Sequence, residues 1–545
     1  MSNDLTIART PEAVESPLLI GTILEAGVSN APDQEIVYAD QRRLSYREFN
    51  QRVHQLAGAL AACGVKPGDT VAVMDWDTHR YLEAFFAIPM MGAVLHTVNV
   101  RLSPEQILYT INHAEDDVIL VNREFLPVLE QLKDRIETVK HYILLDDQGG
   151  ETSGDLPLAG EYEALLQKAP AQFDFPRQLD ENTRATTFYT TGTTGLPKGV
   201  YFSHRQLVLH TLAARAVLSG SGHGKLNQDD VYMPITPMFH VHAWGVPYAA
   251  VLLGVKQVYP GRYIPEMLLK LLVTEKVTFS HCVPTILQML LQSEAVKQID
   301  LSGWKVIIGG SAMPKPLCKA AMQRGIDVFA GYGMSETCPL ISVALLPAEL
   351  EQADADTQAD YRCRAGRAVP MVEMRIVDEN MNEQPHDGKT QGELVLRAPW
   401  LTQGYLKDPD NSQKLWHGGW LHTGDIGTLD SEGWLRITDR IKDVVKTGGE
   451  WISSLDLESL ILQHDAVREC AVVGVPDAKW GERPVALVVK GGDVDEQSIK
   501  DLVAGYAEQG IISRYGIPDR VVFVDELPRT SVGKLDKKRM RAELV

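Results

Sequence analysis

Phe188-Tyr-Thr-Thr-Gly-Thr-Thr-Gly-Leu-Pro-Lys-Gly-Val200 packs four threonines, three glycines and one lysine into thirteen residues. Glycines let backbone N–H groups close on an anion, hydroxyls add rotatable donors or face a divalent cation, and Lys198 adds positive charge. That is the chemistry of a phosphate cradle, although a solvated Thr/Gly loop has the same composition. It is not a P-loop. Pro197 precedes Lys198 and Gly199 follows it, where a P-loop has Ser or Thr opening a helix. Pro197 pushes Leu196 toward extended geometry, so the loop is expected to run into a strand or a second turn.

Upstream, buried strands alternate with amphipathic helices. The first organised feature is a helix opened by Ser45 and Glu48 at capping-box spacing, with Phe49, Val53, Leu56 and Leu60 on one face and Gly64 at its end. A turn then feeds the apolar run 70–74. A second helical pattern over 78–91 leads to strand-like residues 93–100, and further strands are read at 117–121 and 141–145. Such alternation predicts an α/β fold with mostly parallel sheets. Residues 146–180, rich in Gly, Pro and acids, are expected to form an irregular connection.

Downstream, Ser203 caps a predicted helix through residue 216, and 219–224 reads as a mobile insertion. In Pro237-Met-Phe-His-Val-His-Ala-Trp-Gly245 two histidines invite a metal reading. One strand cannot close a metal shell, however, and an aromatic core accounts for Phe239 and Trp244 as well. Gly309-Gly310-Ser311 ends a predicted strand, where open α/β sheets place ligands and where a plain turn also fits. In Asp327-Val-Phe-Ala-Gly-Tyr-Gly-Met-Ser-Glu-Thr337, Gly331 and Gly333 flank Tyr332 so that its ring can offer a face to a nucleobase. Glu336 offers a carboxylate suited to Mg²⁺. Alternation within 366–397 predicts antiparallel β structure, a small barrel or curled sheet, and Asp425 reads as a turn residue. Residues 439–452 resemble a hairpin with solvated charges. Beyond them, about 100 residues of β and α elements make a module of ordinary domain size. Its last strand is expected at 520–524, and its last motif is Leu527-Pro-Arg-Thr-Ser-Val-Gly-Lys-Leu-Asp536.

The run from Tyr189 to Gly199 resembles the signature loop of the adenylate-forming superfamily of acyl-CoA synthetases, peptide-synthetase adenylation domains and luciferases. The later motifs follow in that superfamily's order over nearly the whole chain. The resemblance implies an α/β fold: a large N-terminal domain with a small β-barrel-like subdomain (1–439), a hinge (440–446) and a small mobile α+β C-terminal domain (447–545). It implies ATP, CoA and a carboxylate as substrates, with Mg²⁺ toward Thr190 and Glu336. Thr190, Thr191, Gly192, Thr193, Thr194 and Lys198 would cradle phosphates. Tyr332, between Gly331 and Gly333, would meet adenine, and Gly310 and Ser311 the adenine and substrate carbonyl. Asp425 would take the ribose, Arg440 the ribose or a phosphate, and Lys442 the hinge position. The implied catalytic set is Lys534, His240 and Lys446, the last on a thioester-forming face with Gly448, Gly449, Glu450 and Trp451.

Val241 and Trp244 match the acyl-site segment of medium- and long-chain fatty-acyl-CoA synthetases, in which such an indole gates the fatty-acid tunnel. The implied activity is AMP-forming fatty acid–CoA ligation, an acid-thiol ligase reaction. The alternatives are a ligase for short, methylthio-substituted or aryl acids, a luciferase-like oxygenase, and a non-catalytic nucleotide binder. An adenylation domain serving a carrier protein is a further rival, disfavoured because no carrier segment follows Val545. Similar fatty-acid enzymes often form homodimers.

Composition describes an ordinary soluble globular protein. Hydrophobic content is 44% and charged content 23%, and the net charge of -19 argues against a nucleic-acid or anionic-membrane partner. Cys63, Cys282, Cys318, Cys338, Cys363 and Cys470 have no C-x-x-C spacing, which disfavours zinc or a disulfide framework. The N-terminus lacks a signal-peptide pattern, and no apolar stretch reaches about 18 residues, so a cytoplasmic protein is expected.

Overall fold

The computed structural model describes residues 7, 10–14, 16–150, 154–190, 196–220, 224–447, 450–530 and 534–544. The stretch 188–200 enters on the strand Arg184–Tyr189 and leaves on Gly199–Ser203, which pair antiparallel with Tyr189 opposite Gly199. They form one edge of a seven-stranded sheet in the order Leu158–Glu161, His141–Leu145, Asp116–Asn122, Thr70–Met74, Val94–Thr97, Arg184–Tyr189, Gly199–Ser203. Every other pairing in that sheet is parallel.

A nine-stranded sheet runs Arg367–Ala368, Leu340–Val343, Asp327–Gly333, Lys305–Ile308, Phe279–Cys282, Val231–Pro234, Lys256–Tyr259, Glu35–Tyr38, Arg42–Ser45. The two sheets share a core. Phe49, Phe85, Leu207 and Tyr248, from four helices, cluster with Leu95 and Phe188 of the first sheet and Ile36 and Ile341 of the second. Fully buried strands such as Thr70–Met74 are covered on both faces, as parallel sheets require.

The helix Tyr46–Ala62 starts as its sequence dictates: Ser45 Oγ accepts from Glu48 N, and the Glu48 carboxylate accepts from Ser45 N at 2.7 Å. Ser203 and Gln206 repeat the device for His204–Ser219, three residues longer than expected. The first organised element lies earlier than the reading placed it: a helix, Gly21–Asn30, and the strand Glu35–Tyr38 precede Ser45. Their short apolar runs carry too little periodicity to stand out. The connection 146–180 is likewise not wholly irregular, since Leu158–Glu161 adds an edge strand and Glu161 caps the helix Tyr162–Lys168. Within the insertion read at 219–224, residues 221–223 lie outside the described residues.

Strands Glu373–Val377, Gly392–Arg397, Trp416–His417, Trp420–Leu429 and Leu435–Arg440 make the antiparallel β subdomain. The C-terminal part has its own core, including Val445, Leu457, Val472, Val488 and Val503, around a five-stranded sheet. The strand Arg520–Phe523 is its last among the described residues, as expected, and a helix, Lys537–Leu544, follows it and buries Met540. No helix among the described residues is long and apolar enough to cross a membrane.

Candidate active site

Lys198 N donates to Thr190 Oγ1 at 3.2 Å and Thr190 N to the Lys198 carbonyl at 2.9 Å, so the neck of the signature loop is tied twice. Thr191, Gly192, Thr193 and Thr194 lie outside the described residues. Thr190 and Lys198 open onto a cavity of about 1350 Å³ bounded by strand ends of both sheets, the β subdomain and the C-terminal part. Ligands gather at such strand ends in open α/β sheets.

Gly310 follows the strand Lys305–Ile308 at φ +78°, a left-handed geometry that glycine adopts without strain. Its bare backbone also makes room. A Cβ there would sit 3.4 Å from Lys534 Cε and 3.8 Å from Trp244 Cζ2, and one at Gly309 would meet the Trp244 indole at 3.0 Å. The lysine from the end of the chain therefore reaches the floor of the large domain's cavity. Thr530 N donates to the Lys534 carbonyl at 2.7 Å and Lys534 N to Thr530 Oγ1 at 3.2 Å, which fixes the Lys534 backbone.

Burial, then the nearby Arg440 guanidinium, lower the Lys534 ammonium to about 8, with Asp425 and Glu336 pulling the other way. His240 lines the same space. Burial and the Lys534 charge hold its imidazole at about 3, so it is neutral at pH 7. His242 turns away into a cluster of Phe85, Phe188 and Tyr248, so the two histidines do not converge on a metal.

The segment bearing them is not a strand. Val241, His242, Ala243, Trp244 and Gly245 all have positive φ, between +47° and +71°, a left-handed turn that alternation of residue types does not reveal. Asp77 Oδ1 accepts from Met238 N at 2.9 Å, and Thr97 Oγ1 donates to the Phe239 carbonyl at 2.9 Å, which pins the entry to the turn.

Asp425 lies within the strand Trp420–Leu429, not in a tight turn, with Gly424 at φ +70° just before it. It accepts from the Tyr332 phenol at 2.6 Å and pairs with Arg440 Nε at 3.2 Å. Burial, then that carboxylate, push the Tyr332 phenol well above its ordinary value. Gly331, Gly333, Ser311, Val241 and Lys442 line the cavity.

Glu336 is buried, and its Oε1 accepts from the Tyr405 phenol at 2.7 Å. Sequence reasoning missed Tyr405, because a tyrosine within Gln403-Gly-Tyr-Leu carries no local mark of chemistry. No cluster of three His, Cys, Asp or Glu able to cage a metal occurs among the described residues. One carboxylate and the Thr190 hydroxyl suit a Mg²⁺ that arrives with its phosphates and keeps water ligands.

The domain model of an AMP-binding enzyme matches residues 24–406, and that of the AMP-binding enzyme C-terminal domain matches residues 456–534. The chain belongs to the AMP-binding enzyme family. This AMP-binding enzyme is 42% identical over 509 residues to a long-chain-fatty-acid–CoA ligase of Thermus thermophilus, covering 92% of this chain and 90% of that one. It is 37% identical to a 3-methylmercaptopropionyl-CoA ligase of Ruegeria lacuscaerulensis, over 98% of both chains. Among solved structures, an anthranilate CoA ligase in complex with anthranoyl-AMP superposes with a TM-score of 0.84 at 23% identity, covering 97% of this chain and 98% of that one, a likeness of fold.

Not every expected residue meets in the cavity of this AMP-binding enzyme. Lys446 is exposed on the hairpin Val445–Thr447/Glu450–Ile452, where its ammonium lies 5.2 Å from the centre of the exposed Trp451 ring, and Glu450 is exposed beside it. Gly448 and Gly449 lie outside the described residues. The charges of 439–452 are not all solvated either, since Asp439 is buried and accepts from Ser454 N at 2.6 Å.

Proposed function

We propose that this chain is an ATP-dependent fatty acid–CoA ligase that forms AMP and acts on medium- or long-chain carboxylic acids. The observation that carries the reading is the approach of Lys534 to Gly310 and Trp244, in a cavity that also holds Thr190, Lys198, Glu336 and Asp425. A carboxylate seated at Gly310 meets the Lys534 ammonium, which offsets charge as the carboxylate oxygen attacks the α-phosphorus. The bond to pyrophosphate breaks, Lys198 and the signature loop hold the departing phosphates, and an acyl-adenylate remains. Glu336 and Thr190 would hold a Mg²⁺ ion, which would neutralise charge on the phosphates. Asp425 has the acceptor capacity for ribose hydroxyls, and Tyr332 a face for adenine. No nucleophilic side chain is required. The C-terminal domain, residues 447–545, then turns about 440–446, withdraws Lys534 and brings the face that carries Lys446 to the site. The CoA thiol attacks the acyl carbonyl and AMP leaves.

The long-chain relative at 42% identity and the Trp244 indole over two glycines support a fatty acid. The match to a 3-methylmercaptopropionyl-CoA ligase over 98% of both chains favours a second reading, a short methylthio acid. A panel of acids assayed by pyrophosphate release separates them. Octanoate and longer acids should outperform propionate and 3-methylthiopropionate in kcat/KM, and the reverse order would reassign the substrate. A cytoplasmic homodimer completes the proposal, and sedimentation of the purified enzyme tests its pairing.

A further inference from the structure

The segment 402–406 stitches two parts of the site together. Thr402 N donates to the Glu336 carbonyl at 3.0 Å, Thr402 Oγ1 to the Tyr201 carbonyl at 2.9 Å, and Leu406 N to the Gly199 carbonyl at 2.8 Å. Tyr405 N donates to Ser412 Oγ at 2.8 Å, which fixes the backbone from the other side. The Tyr405 side chain is thereby held between two opposite charges. Its phenol donates to Glu336 Oε1 at 2.7 Å, and the Lys198 ammonium lies 4.5 Å from its ring centre. Lys198 and Glu336 both line the cavity, each reaching Tyr405, and no ion pair joins them among the described residues.

We propose that Tyr405 is a positioning residue that keeps Lys198 and Glu336 apart, its ring holding the lysine for the phosphates and its hydroxyl aiming the glutamate at their metal. The inference rests on the nucleotide reading of the site. A cation over an aromatic face stays available to an incoming anion, whereas a cation paired with a buried carboxylate must first be released. The hydroxyl occupies Oε1, and in this proposal Oε2 is the oxygen left for the metal. Partners of this kind, bonded to a ligating group and not to the metal, commonly set metal affinity.

The test is calorimetric titration of ATP into the full-length enzyme without acid or CoA, first metal-free and then over a series of Mg²⁺ concentrations. Tyr405→Phe keeps the ring and removes the donor. The Mg²⁺ concentration that half-restores tight ATP binding should rise about tenfold, while metal-free ATP affinity changes less than about twofold. Tyr405→Leu removes the ring as well and should weaken metal-free ATP binding, because Lys198 is then free to pair with Glu336. In a Glu336→Gln background, Tyr405→Phe should add no further loss of Mg²⁺ response, since the hydroxyl acts through that carboxylate. An unchanged Mg²⁺ midpoint in Tyr405→Phe, an equal loss with and without metal, or an additive loss in the Glu336→Gln background would each overturn the role. Should Tyr405→Leu fail to fold by circular dichroism, the Phe and Gln variants alone decide the question. A wild-type enzyme that binds no ATP would instead overturn the nucleotide reading itself.

Discussion

Lys534 carries a pH expectation that its surroundings define. A lysine lowered to about 8 by burial and Arg440 loses its charge as pH rises through that value. The kcat/KM for acid-dependent pyrophosphate release should therefore fall above about pH 8, and the limb in kcat should lie higher, because bound phosphates favour the charged form. Lys534→Arg, charged throughout, should remove the limb at some cost in rate. Lys534→Ala should cut adenylate formation about 10²- to 10³-fold while ATP affinity stays within a few-fold. Equal losses in both, by pre-steady-state assay and calorimetry, would make Lys534 a binding residue only. From composition a Thr/Gly-rich run with a lysine reads as a phosphate cradle or as a solvated loop, and Lys534 as a surface charge, so the motif order of a known superfamily, not local chemistry, pointed to both. Tyr405 was not legible, because its importance comes from what folding places on either side of it.

The left-handed turn from Val241 to Gly245 is where element-level reading failed, since residue patterning encodes period and says nothing of handedness. Four L-residues in that conformation cost about 1–2 kcal/mol each, so outside contacts must hold the turn. Asp77 is the one to test. Burial raises its carboxyl to about 7, although the Tyr263 hydroxyl, Met238 N and Arg101 favour the charged form, and nearby Asp75 opposes it. The folded state thus binds the proton more tightly than the unfolded chain, whose aspartates titrate near about 3.9. Its contribution to stability is full at low pH and declines as pH rises from about 4 to about 7. Against Asp77→Asn, the wild-type melting temperature should lose ground across that window and level off above it. Asp77→Ala, which leaves Met238 N without its acceptor, should loosen the turn and raise KM for the acid about tenfold while KM for ATP holds. A parallel rise in both constants would mean general disruption and not a local effect on the acyl side.

At the scale of the whole molecule, the alternation of strands and helices announced both large sheets, whereas the contact between the two lobes was hidden. It depends in part on Asp439, which reads in sequence as a solvated charge of the hairpin 439–452. In the structure the strand Leu435–Arg440 docks against the start of the helix Ser454–Ile461. Asp439 accepts from Ser454 N at 2.6 Å, Ser453 Oγ donates to the Thr438 carbonyl, and Arg436 pairs with Asp456 at 2.6 Å. Lys534 lies in the cavity in this same arrangement. If the C-terminal domain turns about 440–446 between half-reactions, the dock is made in one arrangement and lost in the other. The exposed Arg436–Asp456 pair contributes little, about 0–1 kcal/mol, but a hydrogen bond to a buried carboxylate is worth about 1.5–3 kcal/mol. Asp439→Ala should therefore shift the population away from the adenylating arrangement by about tenfold or more. Acid-dependent exchange of pyrophosphate into ATP should fall by that factor, while CoA-dependent consumption of a synthetic acyl-adenylate should hold or rise. A loss of equal size in both assays would mean that Asp439 supports the fold alone, and that the dock does not choose between the two chemical steps.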